Sequence, residues 1–168
     1  MRLLAIYASL FVTIMLTLTA MLTDLPAKVK KARIRARYES TEAYEMDRDM
    51  LAEVMYWENY WNGEKAMRYT GAVVINRAKY CTWCPDTIRG VLHQKGQYST
   101  TAHFFTKKIP DECYDIADDL LLNGTGIPKT VIYQAMFRQG SGVYEKVGTD
   151  YFCYGFEDEF NEEVSYEG

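Results

Sequence analysis

The chain has 168 residues, 48% hydrophobic, 14% aromatic and 25% charged, the make-up of one globular domain with some chain to spare, which excludes a multidomain machine. Nineteen Lys and Arg against twenty-three Asp and Glu give a net charge of -4, and the signs are segregated. Residues 1–40 carry seven bases and two acids, 157–168 six acids and no base, and 41–156 twelve bases against fifteen acids. A mildly acidic middle excludes a nucleic-acid-binding domain, which meets phosphates with a basic face.

From Leu3 to Leu22 there is no charge. About twenty apolar residues can cross a bilayer core as a helix, and no A-x-A-like cleavage site follows, since Leu18 stands two before Ala20. Residues 1–25 therefore read as an N-terminal hydrophobic helix, an uncleaved anchor, with a secretory signal as the other reading. The basic run KVKKARIRAR suits anionic headgroups, giving a juxtamembrane segment and linker over 26–46.

The globular domain is expected over 47–156. Leu51, Val54 and Met55 recur at i, i+3, i+4, a first helix from Asp47, and Glu58 falls on the same stripe. Asn62-Gly63 breaks it, and a second helix runs from Glu64 to Lys79. Asp86 or Thr87 caps a short helix over IRGVLHQ. KGQYSTTAHFFTKKI reads as a loop with short extended pieces. Pro110 opens a further helix, on which Cys113, Ile116, Ala117, Leu120 and Leu121 share a face, and Asn123-Gly124 closes it. VIYQAMF, VYEKV and DYFCYGF read as strands, with QGSG as a hairpin turn. The fold class is α+β, several helices then a short antiparallel sheet, and 157–168 reads as an acidic disordered tail.

Cys81, Cys84, Cys113 and Cys153 include one C-x-x-C pair, and neither His93 nor His103 stands at ligand spacing from it. Half a tetrahedral zinc site without its other half argues for one or two disulfides instead, their pairing left open. No metal and no cofactor is expected.

Glu58 carries the chemistry. An acid on an apolar stripe, with Tyr56, Trp57, Tyr60 and Trp61 beside it in sequence, is expected to hold its proton above the usual carboxylate range. Such an acid can protonate a glycosidic oxygen, and Tyr56 and Trp57 offer faces for sugar rings. The plainer reading sets Glu58 at the helix border, solvated or paired with Arg68 or Arg77.

The segments LAEVMYWEN, NGE, GAVVINRAK, CPDTIRGVLHQ and GQYS, then the helix ending in NG and the strands VIYQAMF and VGTDYFCYG, follow one another from about Asp47 to Gly155. In this order they resemble the SleB-like cell wall hydrolases, the group that includes spore cortex-lytic enzymes. The resemblance implies a small lysozyme-like domain, related to lytic transglycosylases, that cuts peptidoglycan glycan strands between N-acetylmuramic acid and N-acetylglucosamine. It implies Glu58 as the single catalytic acid and base, and Gln97, Tyr98 and Ser99 as lining of the cleft. Hydrolysis would need a partner acid, with Glu64 or Asp86 nearest in sequence. Asn76 and Arg77 are expected to fix the loop after their helix, and Tyr133, Gln134 and Phe137 to pack in the core. Two departures stand out: the step from Glu58 to Gly63-Glu64 is longer than usual, and Asp150 follows Val147-Gly148-Thr149 where many relatives carry a histidine.

The expected partners are peptidoglycan glycan strands and, through residues 3–22, a membrane, with no nucleic acid. The expected place is membrane-anchored or secreted, with the domain facing the cell wall. The positive-inside rule applied to KVKKARIRAR opposes that topology, and the substrate decides for it. A noncatalytic peptidoglycan-binding module is the alternative, against which Glu58 argues; a redox or zinc protein built on the cysteines is a third reading.

Overall fold

The computed structural model describes residues 38–160, together with 29, 30, 32 and 34. The expected anchor at 3–22 and the end of the acidic tail lie outside the described residues. Among the described residues no helix is long and apolar enough to cross a membrane. The chain forms two compact units, 1–41 and 42–168. In the first, the described residues 29, 30, 32 and 34 are helical, and the Ile34 carbonyl accepts the Tyr38 N–H at 2.9 Å.

The second unit is α+β. Helices α1 (Thr41–Asn59), α2 (Glu64–Tyr80), α3 (Ile88–Leu92) and α4 (Asp111–Asn123) precede strands β1 (Val131–Ala135), β2 (Gly142–Val147) and β3 (Asp150–Tyr154). Three 3-10 turns, Tyr60–Asn62, Ser99–His103 and Glu157–Glu159, punctuate them.

Helix α1 begins six residues before the expected Asp47, so residues 41–46 are not linker. Tyr44 explains this, because its side chain is 1% exposed and its hydroxyl donates to Asp118 on α4. Glu42 in the first turn suits the positive end of the helix dipole. From Met50 to Met55 every residue is buried, so α1 is covered all round and its apolar stripe understates its burial.

Helix α2 packs against α3, α4 and β1. A Cβ at Gly71 would stand 2.6 Å from Leu120 Cδ1 and 2.9 Å from Met55 Sδ, so the bare backbone lets α1 and α4 close on α2. Thr87 caps α3 by accepting the Gly90 N–H at 3.1 Å. Residues 93–109 hold the Ser99–His103 turn and no strand, which corrects the expectation of extended pieces.

The sheet order is β1-β3-β2, antiparallel throughout. QGSG is therefore not a hairpin turn; it carries the chain from β1 past β3 to the other edge. The hairpin joins β2 to β3 through Gly148 at φ 59°, with Val147 opposite Asp150. In the middle strand Phe152 and Cys153 are successive and both fully buried, so β3 is covered on both faces, as is the start of β1 at Val131 and Ile132.

Two further expectations change. The acidic tail is ordered through residue 160, because Glu159 accepts from Trp83 Nε1 at 3.0 Å, from the Tyr133 hydroxyl and from the Phe156 N–H at 2.7 Å. Phe160 then bridges to Cys81. The C-x-x-C pair is closed on itself as a Cys81–Cys84 disulfide, while Cys113 and Cys153 are buried thiols. Burial pushes the Cys113 thiol up to about 11.

Candidate active site

Glu58 stands in the last turn of α1, where the helix gives way to the Tyr60–Asn62 turn. It is half-buried, and its Oε1 accepts the Thr100 hydroxyl at 2.6 Å. Burial raises its pKa above the ordinary carboxylate value, the Thr100 bond opposes the rise, and the nearby Asp150 carboxylate adds to it. Neither expected cation neutralises it. Arg68 is held by Glu64 at 2.8 Å and Asp119 at 2.6 Å, and Arg77 donates to Gln97 at 2.7 Å.

The Ser99–His103 turn faces this acid. Thr100, the residue that touches Glu58, was not singled out by sequence; its only signal was its place directly after Gln97-Tyr98-Ser99 in a polar loop. Of those three, Tyr98 lies under the site, 9% exposed, its phenol in the field of both Glu58 and Arg77. Burial raises the phenol's pKa although Arg77 pulls the other way. Gln97 and Ser99 are exposed at the rim, Gln97 anchored by Arg77.

Trp57 reaches the far end of the same turn. Its ring lies 5.1 Å from His103, Lys107 Nζ sits 4.5 Å from its centroid, and its Nε1 donates to Glu53 Oε2 at 2.9 Å. Tyr56 packs edge-on against Trp57, ring centroids 5.3 Å apart, with the same Lys107 Nζ 4.7 Å from its centroid, and lines a hollow with Tyr60, Lys107, Lys108 and Pro110. The structure thus gathers Glu58, Tyr98 and Thr100, sets Gln97 and Ser99 at their rim, and places Trp57 and Tyr56 together at the far end of the turn.

Glu53 escaped the sequence reading altogether. It is 1% exposed and accepts from Trp57 and from the Phe105 backbone N–H, and burial raises its pKa. Phe105 has φ 59°, rare for a bulky residue. The buried acid thereby ties the loop after the Ser99–His103 turn to α1.

Asp150 opens β3 and is 8% exposed. Its Oδ2 accepts from Asn59 Nδ2 and Gln134 Nε2, both at 2.9 Å, and its Oδ1 from Thr149 Oγ1 at 3.2 Å. Asn59, the residue after Glu58, also donates to Thr70 at 2.8 Å and accepts from Asn62 at 2.6 Å. The longer Glu58-to-Gly63 step is thus stitched to the β2–β3 turn. Glu64 and Asp86, the expected partner acids, are both exposed, and Glu64 is spent on Arg68. Gln134 holds Asp150 rather than packing in the core, and Phe137 is 63% exposed. Asn76 holds not the loop after its helix but the entrance to β1, donating to the Pro128 and Val131 carbonyls at 2.9 and 3.1 Å.

A half-buried carboxyl with a raised pKa and one hydrogen bond is suited to giving up a proton and taking it back. A family model described as Cell Wall Hydrolase matches residues 61–147, just over half of the chain. The chain belongs to the cell wall hydrolase family, of SleB-like type. No curated protein and no solved structure gave a match. In this cell wall hydrolase the matched stretch carries α2, the Ser99–His103 turn, α4, β1 and β2. Glu58 lies three residues before it and Asp150 three after it. Peptidoglycan is the substrate class that goes with the family, and the cell wall is where such an enzyme acts.

Proposed function

We propose that the protein cleaves peptidoglycan glycan strands between N-acetylmuramic acid and N-acetylglucosamine as a lytic transglycosylase, on a lysozyme-like scaffold. The observation that carries this reading is Glu58 itself, half-buried, bonded to Thr100, unpaired by Arg68 or Arg77, with its pKa raised. Glu58 gives its proton to the glycosidic oxygen as the bond from the muramic C1 breaks, and the N-acetylglucosamine leaves with a free 4-hydroxyl. The Glu58 carboxylate then takes the proton of the muramic 6-hydroxyl while that oxygen bonds C1, closing a 1,6-anhydro ring and restoring the acid. One carboxyl serves both steps, and no water enters.

Tyr98 and Thr100 form the floor beside the acid, with Gln97 and Ser99 at the rim and Trp57 as a sugar platform at the far end of the turn. Tyr56 contributes only if the glycan extends into its hollow. The apolar segment 3–22 anchors the enzyme, with residues 47–156 facing the wall.

The test is mass spectrometry of fragments released from purified peptidoglycan by the full chain and by Glu58→Gln. Anhydro-muramic ends formed by the natural protein and lost in the variant are the expected result. Reducing ends would replace transglycosylation by hydrolysis, and equal release by both proteins would remove Glu58 from the reaction.

A further inference from the structure

We infer that Asp150 is a positioning residue for Glu58, holding the end of α1 in place through Asn59 and setting a buried negative charge behind the acid. This rests on the reading of Glu58 as the acid. The geometry is a buried polar bridge from the centre of the sheet to the last residue of the helix. Asp150 on β3 receives Asn59 from α1 and Gln134 from β1, and Asn59 is held in turn by Thr70 of α2. A second contact doubles the bridge: a Cβ on Gly148 would stand 2.5 Å from Asn62 Oδ1, and Asn62 donates to Thr149 at 3.3 Å. The backbone just after Glu58 is therefore fixed by the turn that leads into Asp150.

Charge gives the bridge a chemical consequence. Among the described residues no ion pair reaches Asp150; its oxygens are met by two amides and a hydroxyl. Around Glu58 stand the Thr100 hydroxyl from the Ser99–His103 turn, the Tyr98 phenol with the Arg77 guanidinium beyond it, and the Asp150 carboxylate from the sheet. Arg77 is engaged with Tyr98 and Gln97, so among the described residues Asp150 is the formal charge acting on Glu58. A like charge nearby disfavours ionisation of the acid. Burial is the larger cause of the rise, Thr100 pulls the other way, and Asp150 adds to burial.

Asp150→Asn separates charge from structure, because an asparagine can keep its oxygen toward Asn59 and Gln134 and its amide toward Thr149. In the full chain, the Glu58 side-chain carboxyl is followed by carbon-13 NMR against pH, its signal assigned by its loss in Glu58→Gln. The pH profile of fragment release is measured alongside. The expected result is that Glu58 titrates at lower pH in Asp150→Asn and that activity at pH 8 relative to pH 5 falls by about three- to tenfold. Unchanged titration of Glu58 in a folded variant overturns the inference, as does a uniform loss of activity with an unmoved profile. If Glu58→Gln stays active, the proposed function fails, while the titration in unliganded protein still decides whether Asp150 acts on Glu58.

Discussion

The Thr100 hydroxyl donates to Glu58 Oε1 at 2.6 Å, and this bond is the one direct side-chain restraint on the acid among the described residues. It favours the charged form and so opposes the effect of burial. Thr100→Val removes it at nearly constant volume. Two changes are expected: the alkaline limb of the pH profile moves to higher pH, and turnover at the optimum falls about three- to thirtyfold as the carboxyl loses its orientation. A limb that stays in place, or moves to lower pH, would contradict the role given to this hydroxyl.

Glu53 and Glu58 both have pKa values raised above 4.5, burial being the first cause in each. A carboxyl whose folded pKa lies above its unfolded value contributes stability that is fully present below about 4.5 and lost as pH rises through the folded value. Glu58→Gln abolishes this penalty while its amide oxygen can still accept from Thr100. The urea midpoint of the variant should therefore approach that of the natural protein near pH 4 and exceed it by a growing margin toward pH 8. A difference that is constant with pH would show that ionisation of Glu58 costs the fold nothing.

The stripe of Leu51, Val54 and Met55 makes α1 legible and puts Glu58 at its end. Glu53 was invisible because α1 is buried all round from Met50 to Met55, so positions off the stripe are covered too, and no period distinguishes a buried acid from a solvated one. The partners of Glu58 come from distant segments. Thr100 and Asp150 are 42 and 92 residues on, brought in by a 3-10 turn and by the central strand, and local patterns carry no trace of either meeting. The position of β3 between β1 and β2 was equally hidden, since three similar short strands admit several orders.

Asn76 tests how rigidly the sheet must be joined to the helices. Its amide donates to the Pro128 and Val131 carbonyls, at the entrance to the strand that carries Gln134 to Asp150. Asn76→Ala takes this donor from both acceptors and leaves the buried Val131 carbonyl without it, while the Pro128 carbonyl keeps the Val131 N–H. The expected loss is about 1–3 kcal/mol in urea unfolding. Asn76→Asp should be worse than Ala, because it turns an acceptor toward two carbonyl oxygens. A variant within about 0.5 kcal/mol of the natural protein would mean that the two carbonyls find other donors.

The Cys81–Cys84 disulfide closes a very short loop, so it restrains the unfolded chain only modestly, by about 2 kcal/mol on the loop-entropy view. Its local effect is larger. Trp83 lies inside the loop, its ring 5.3 Å from the Arg77 guanidinium and its Nε1 bonded to Glu159, and Arg77 in turn holds Gln97 at the rim of the site. The contacts of Glu58 with Thr100 and of Asp150 with Asn59 do not pass through this loop. The double variant Cys81→Ser, Cys84→Ser should accordingly lose about 4–8 °C in Tm, change its tryptophan fluorescence, and weaken substrate binding while turnover stays within about threefold. Loss of turnover at unchanged binding would place the disulfide in the support of the acid itself, and an unchanged Tm would leave the loop without a part in the fold.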